Sequence, residues 1–168
     1  MKTIPTQTAT LAGGCFWGLE ELLRQIPGVI HTEVGYTGGS LSHPTYDDVC
    51  TGRTGHAECV RIEFDPDLLS YENLLVQFFK MHDPTTPHQQ GNDRGSQYRS
   101  AIFYHAEDQH QTALSVIKRV NASRAWKSAV VTEICPAQEF WRAEEFHQQY
   151  LEKNPNGYTC HWIRPVHF

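Results

Sequence analysis

The chain is organised around residues 8–18, which read TATLAGGCFWG. Residues 8–12 are predicted to form a short strand. The apolar residues after Cys15 recur at the spacing of one buried helix face, at Leu19, Leu22, Leu23 and Ile26. Cys15 therefore lies where a strand passes into a helix, and Gly13 and Gly14 allow the tight turn that this junction needs.

A cysteine at this junction is a candidate nucleophile. The unpaired N–H groups and the positive dipole end of the helix would face its sulfur and favour the thiolate. Thiolates at helix N-termini titrate at about 3.5 to 7.5, against about 8.5 for a free cysteine. On position alone, a small apolar residue packed at the start of a helix is an equally good interpretation of Cys15.

The two aromatic residues after Cys15 favour the nucleophile. Phe16 and Trp17 need not both join the buried face of the helix, so another part of the chain should cover them. An aromatic cup beside a thiolate suits a methyl group on sulfur, because sulfur and aromatic rings attract. Phe16 and Trp17 are therefore candidate substrate-binding residues.

The sequence Gly-Cys-Phe-Trp-Gly at residues 14–18 resembles the signature of the A-type peptide methionine sulfoxide reductases. The resemblance extends over about residues 8–162. It implies thiol-dependent reduction of free and protein-bound methionine sulfoxide, with preference for the S epimer at sulfur. It also implies thioredoxin as the reductant and no metal or organic cofactor.

Length and composition predict one catalytic domain, residues 1–168, with a tail at 155–168. The net charge of -5 gives no reason to expect a nucleic-acid or membrane partner. Residues 1–7 lack the pattern of a signal peptide, and no apolar stretch reaches transmembrane length. We therefore expect a monomeric, cytoplasmic protein.

The order of predicted elements is β α β, β α β, α β α. The strands are predicted at residues 8–12, 29–36, 56–64, 98–104 and 129–135, and the helices at about 15–26, 70–82, 113–120 and 140–154. This order predicts an α/β (α+β) fold, a two-layer sandwich with a ferredoxin-like split βαβ core and extra helices. Two long loops, at about 38–56 and 83–97, and the irregular tail complete the chain.

Glu58 is the candidate proton donor. Val60, Ile62 and Phe64 alternate along the third strand and should face the core, and Glu58 is in phase with them. Partial desolvation there would raise the pKa of its carboxyl group and suit it to give up a proton near neutral pH. The alternative is a glutamate at a strand end that bends toward solvent.

The resemblance implies further site residues at positions that match the family's motifs. Tyr46 and Tyr98 would act as O–H donors around the sulfoxide oxygen, and Asp93 would orient the substrate. For an isolated tyrosine, a buried side chain with a satisfied hydroxyl would be the better interpretation.

The expected reaction forms a sulfenic acid on Cys15, which a second thiol then attacks to give a disulfide. We expect Cys160 in the tail to resolve it, and Cys50, in the same loop as Tyr46, is the alternative. Many family members have the tail cysteine directly after Gly-Tyr, whereas Thr159 intervenes here. The remaining two cysteines, Cys59 and Cys135, are interpreted as structural.

Two other classes of protein are weighed against the reductase. One is a cysteine hydrolase or acyl transferase in which Cys15 pairs with one of ten histidines. The other is a metal-binding or non-catalytic module. The chain lacks C-x-x-C and H-E-x-x-H motifs. Six of the histidines are scattered along the chain, at positions 82, 88, 105, 110, 147 and 161 (His82, His88, His105, His110, His147 and His161), and most of these six are interpreted as ordinary surface or helix-face residues.

Overall fold

A six-stranded sheet is the centre of this computed structural model, which describes residues 5–168. The elements in chain order are β1 (Gln7–Gly13), α1 (Phe16–Leu23), β2 (Val29–Thr37), α2 (Tyr46–Cys50), β3 (Ala57–Phe64), α3 (Tyr71–Met81), β4 (Gln89–Gln90), β5 (Asp93–Arg94), β6 (Ser100–Tyr104), α4 (Glu107–Ser123), β7 (Glu133–Pro136), β8 (Trp141–Arg142) and α5 (Tyr150–Lys153). Two single-turn 3-10 helices lie at Ser96–Tyr98 and Glu145–His147.

The strand order of the sheet is β7-β6-β1-β3-β2-β8. Within the central part of the sheet, β6-β1-β3-β2, every pair of adjacent strands is antiparallel. Helix α1 connects β1 to β2, and α3 follows β3 in the connection to β6. This arrangement confirms the predicted split βαβ core. At the edges, β7 runs parallel to β6 and β8 antiparallel to β2.

The main core lies between the sheet and the helices. On β3 the side chains of Val60, Ile62 and Phe64 are fully buried, as their alternation predicts. Ser70 caps α3, as its sequence context indicates, because its hydroxyl accepts a hydrogen bond from the Asn73 N–H at 3.1 Å. None of the helices within residues 5–168 is both long enough and apolar enough to cross a membrane.

Helix α2 lies within the predicted loop at about residues 38–56, where no helix is expected from the sequence. Its N-cap is Thr45, whose hydroxyl accepts from the Asp48 N–H while the Asp48 carboxylate accepts from the Thr45 N–H. This reciprocal cap stabilises a helix of only five residues, which is too short to show hydrophobic periodicity.

The predicted helix over residues 140–154 is wrong. The segment instead forms β8, a 3-10 turn and the short helix α5. Phe146, assigned to the apolar face of that helix, is 58% exposed, and the neighbouring His147 is buried. Gln149 interrupts any continuous helix with a left-handed φ of 47°.

Side-chain hydrogen bonds to β2 explain this departure. The Gln148 amide accepts from the Val34 N–H at 2.9 Å and donates to the Val34 and Ala143 carbonyls at 2.9 and 3.0 Å. The buried Gln148 side chain thus takes the hydrogen-bonding place of a neighbouring strand beside Val34, just beyond the residues of β2 that pair with β8. Hydrogen bonds of this kind leave no periodic signal in the sequence.

We expect Gln148→Ala to lower the free energy of unfolding by about 2 kcal/mol, because it strips hydrogen bonds from buried backbone groups of Val34. Urea unfolding at pH 7 measures the change. Gln111→Ala, which removes an exposed side-chain hydrogen bond on α4, is the control and should change stability by less than about 0.5 kcal/mol. Equal effects of the two substitutions would contradict the role given to Gln148.

Candidate active site

Cys15 is the N-cap residue of α1, at the strand-to-helix junction that the sequence predicts. The turn before it needs Gly14, which has a φ of 95° and would place a Cβ 2.7 Å from the Gln90 side chain. The Cys15 side chain is buried, and the backbone N–H of Trp17 lies close enough to lower the pKa of its thiol. The helix N-terminus thus faces the thiol.

The thiol of Cys15 is nevertheless protonated in this environment. Burial raises its pKa well above the ordinary range, and the nearby Glu58 carboxylate raises it further. The Trp17 N–H lowers the pKa, as a helix N-terminus should, but by less than burial raises it. The prediction of a thiolate at Cys15 is therefore wrong, because tertiary burial outweighs the local helix effect.

Glu58 is buried at the start of β3, as predicted. Its Oε1 accepts a hydrogen bond from the Phe16 N–H at 3.2 Å, and its Oε2 has no partner among the described residues. Burial raises the pKa of the carboxyl group to about 8, with the Phe16 N–H lowering it and the Asp93 charge raising it. Near neutral pH Glu58 is therefore mostly a neutral acid whose O–H has no partner in residues 5–168.

The side chains of Tyr46, Tyr98 and Asp93 surround Glu58. Burial raises the pKa of both tyrosines, and the Glu58 charge adds to the effect in each case. Asp93 is half-buried, and its charge raises the pKa values of both Cys15 and Glu58. Electrostatic effects on pKa values of this kind require groups that lie close to each other. The structure therefore brings the predicted residues Cys15, Glu58, Tyr46, Tyr98 and Asp93 into one site.

Side chains of β2 and of residues 147–150 cover Phe16 and Trp17. Phe16 is fully buried, with its ring 5.7 Å from Tyr36 and 5.2 Å from His147. Trp17 stacks on Tyr150 at 3.8 Å and donates its indole N–H to Nδ1 of His147 at 2.9 Å. The expectation that another part of the chain covers these aromatics is confirmed.

Sequence reasoning missed His147. Its Nδ1 accepts from Trp17, so the neutral ring carries its proton on Nε2, which is buried without a partner in residues 5–168. The interpretation of the histidines as surface or helix-face residues is wrong for His82, His147 and His161, all of which are buried. Neither spacing nor motif distinguishes them in the sequence.

The tail brings Cys160 to the edge of the site. Its thiol is half-buried and donates to the Asp93 carboxylate at 3.7 Å, and burial together with the Asp93 charge raises the pKa of Cys160. The tail lies against the first turn of α1, since a Cβ on Gly18 would collide with Thr159 and His161. Gly18 therefore permits this approach.

Cys50 also borders the site. It is exposed on α2, and its thiol and the Tyr46 hydroxyl are within hydrogen-bonding reach. Cys59 is buried and donates to the Gly35 carbonyl at 3.3 Å, and Cys135 is half-buried on β7. All five cysteines carry free thiols.

The two other classes of protein gain no support from this geometry. In the part of the chain from residue 5 onward, no histidine hydrogen-bonds to Cys15 as a general base would. Within the same residues no group of three or more His, Cys, Asp or Glu side chains is arranged to hold a metal ion.

Comparison with known sequences places the chain in a family. Residues 7–167 match the family described as peptide methionine sulfoxide reductase. The peptide methionine sulfoxide reductase MsrA 2 of Rhodopirellula baltica is 56% identical over 160 residues, which cover 95% of this chain and 93% of that protein.

Solved structures share the fold. Mxr1 of Saccharomyces cerevisiae in reduced form matches with a TM-score of 0.90 at 35% identity, covering 97% of this chain and 94% of Mxr1. Methionine sulfoxide reductase A of Corynebacterium diphtheriae matches with a TM-score of 0.86 at 40% identity, covering 96% and 81%. Mxr1 in complex with Trx2 matches with a TM-score of 0.65 at 24% identity, covering 98% and 95%. From the sequence match over nearly its whole length, the chain belongs to the A-type peptide methionine sulfoxide reductases (MsrA), a family of oxidoreductases.

Proposed function

We propose that this protein reduces the S epimer of methionine sulfoxide, free or within proteins, to methionine. The observation that carries the proposal is the pairing of the Cys15 thiol with the buried, protonated carboxyl of Glu58 beside two aromatic rings. A nucleophile for sulfur and a proton for oxygen are the two groups that this reduction needs. The preference for the S epimer is inferred from the family.

In the first step the Cys15 sulfur attacks the sulfoxide sulfur while Glu58 gives its proton to the oxygen. The thiol proton of Cys15 passes to the Glu58 carboxylate, so the site as a whole gains no charge. The hydroxyl then moves from the substrate sulfur to the Cys15 sulfur as the bond between the two sulfurs breaks, which releases methionine and leaves Cys15 as a sulfenic acid. Tyr46 and Tyr98 donate hydrogen bonds to the oxygen.

Binding uses the remaining site residues. Phe16 and Trp17, the two residues that follow Cys15, hold the methyl group on sulfur, because sulfur and aromatic rings attract. Asp93 orients the substrate. None of these contacts requires a metal or an organic cofactor.

In the second step the Cys160 thiol attacks the Cys15 sulfenic acid, forming a disulfide and expelling water. A dithiol then reduces the disulfide and is itself oxidised, which returns a proton to each cysteine. We infer that thioredoxin is this dithiol, supported by the yeast relative Mxr1, which was solved in complex with Trx2. A monomer in a reducing compartment such as the cytoplasm fits this cycle.

The proposed reaction is tested with the two separated epimers of a blocked methionine sulfoxide and thioredoxin as reductant. We expect turnover of the S epimer alone and none in Cys15→Ser, which lacks the nucleophile. Methionine formation is measured by chromatography. Turnover by Cys15→Ser, or ester hydrolysis through a thioester on Cys15, would contradict the assignment.

Substitution of each cysteine distinguishes between Cys160 and Cys50 as the resolving thiol. Cys160→Ser should form about one methionine per enzyme and then stop with thioredoxin, because the sulfenic acid finds no second thiol. Cys50→Ser, the matched control, should turn over like the wild type. Rapid-quench assays of methionine formation measure both, and the reverse pattern would assign resolution to Cys50.

Glu58 should make stability depend on pH. Its native pKa of about 8 exceeds the ordinary 4.5, so between these values the folded state keeps a proton that the unfolded state loses. The free energy of unfolding of the wild type therefore falls by about 1.4 kcal/mol per pH unit as the pH rises between these two pKa values. Glu58→Gln keeps a donor and an acceptor but cannot ionise, so it should be about 3 kcal/mol more stable than the wild type at pH 7.

Urea unfolding of both proteins between pH 5 and 8 measures this difference. The variant should show a flatter profile and should also lose about 100-fold or more of its methionine formation, as expected when a general acid is removed. Parallel stability profiles for the two proteins would show that Glu58 is ionised in the folded state.

A further inference from the structure

Three large apolar side chains are exposed around Cys160. Tyr158, Trp162 and Ile163 are 44%, 55% and 54% exposed and lie within six consecutive positions that include this cysteine. The other large exposed apolar residues of the described chain are scattered between Ile30 and Phe146. We call the three residues the tail patch.

The backbone of the tail patch is held in place. Between Cys160 and Trp162, the buried His161 ring donates from Nε2 to the Gly13 carbonyl at 2.6 Å. Beyond the patch, the Arg164 N–H donates to the Lys80 carbonyl at 3.0 Å. The exposed side chains are thus presented from a fixed backbone, which reduces the entropy lost when a partner binds.

The residue types of the tail patch are those that anchor protein interfaces. The guanidinium of Arg164 lies over the Trp162 ring, 4.9 Å from its centre. Trp, Tyr and Arg are the side chains most enriched among the residues that contribute most binding energy. An exposed Trp ring packed on a half-buried Arg, next to the proposed resolving thiol, therefore indicates a binding surface.

The patch continues into a concave surface. Ile163 forms one edge of a groove of about 640 Å³ between α1 and α3, whose other apolar lining residues are Leu22, Ile26, Pro27, Leu69 and Met81. A partner that covers the tail can therefore also contact these two helices.

The chemistry of the proposed cycle identifies the partner. To open the Cys15–Cys160 disulfide, a thiolate must bond to one of its sulfurs, and Cys160 is the more exposed of the two. A protein dithiol that reaches this sulfur must rest on the residues flanking it. We infer that the tail patch is the docking surface for the protein dithiol reductant, which is thioredoxin in the proposed function on which this inference rests.

In this step a thiolate of the reductant attacks the Cys160 sulfur, and Cys15 leaves as a thiolate that takes up a proton. The second thiol of the reductant then displaces Cys160 from the mixed disulfide. The reductant loses two electrons and ends as a disulfide, and both cysteines of the enzyme end as thiols.

The test compares Trp162→Ser and Ile163→Ser with Leu114→Ser, an exposed apolar residue on α4. Turnover at saturating methionine sulfoxide is measured with varied thioredoxin, using thioredoxin reductase and NADPH, and separately with dithiothreitol. Each tail variant should lower kcat/KM for thioredoxin at least about fivefold. Turnover with dithiothreitol should stay at the wild-type rate, because a small dithiol needs no docking surface, and the control should behave as wild type in both assays.

Unchanged kcat/KM for thioredoxin in both tail variants would overturn the inference. An equal loss with dithiothreitol would also overturn it, because the residues would then support the disulfide chemistry rather than docking. A failure of the proposed function would give a different result from a failure of the docking inference. In that case Cys160→Ser would retain full thioredoxin-linked turnover, and the docking surface would lose its basis.

Discussion

The burial of the Glu58 carboxyl at the start of β3 is the constraint on which the site depends. One hydrogen bond, from the Phe16 N–H, ties this acid to the helix turn that carries Cys15. Its other oxygen has no partner among the described residues. The burial that keeps Glu58 protonated also keeps a proton on Cys15. The site therefore holds two neutral groups, and in the proposed reaction a sulfoxide oxygen accepts the hydrogen bond that Glu58 can donate.

Two remote segments complete the site by packing on opposite parts of the α1 surface. The 144–150 segment is held by the buried Glu20 carboxylate, which accepts from the backbone N–H of Gln149 at 2.8 Å. The tail approaches at Gly18, where any larger residue would collide with it. Each glycine of the Gly-Cys-Phe-Trp-Gly stretch thus has a structural reason. Gly14 makes the turn, and Gly18 admits the segment that carries Cys160.

Regular periodicity made the central sheet, its two main helices and the burial of Glu58 predictable. The failures share a physical origin in tertiary contacts. The Gln148 side chain makes hydrogen bonds to a strand that is distant in sequence, and its segment does not form the predicted helix. Burial raises the pKa of the Cys15 thiol, whereas the helix N-terminus alone would lower it. His147 carries no sequence signal, because its importance comes from the rings around it. Only the folded chain brings these groups together.

The account depends on Glu58 being a neutral acid near pH 7. Difference infrared spectroscopy of the wild type against Glu58→Gln measures this directly, through the carbonyl stretch of a protonated carboxylic acid. We expect that band at pH 7 and its loss as the pH rises through about 8. Absence of the band at pH 7, with a carboxylate band in its place, would contradict the account and leave the sulfoxide oxygen without its proposed proton donor.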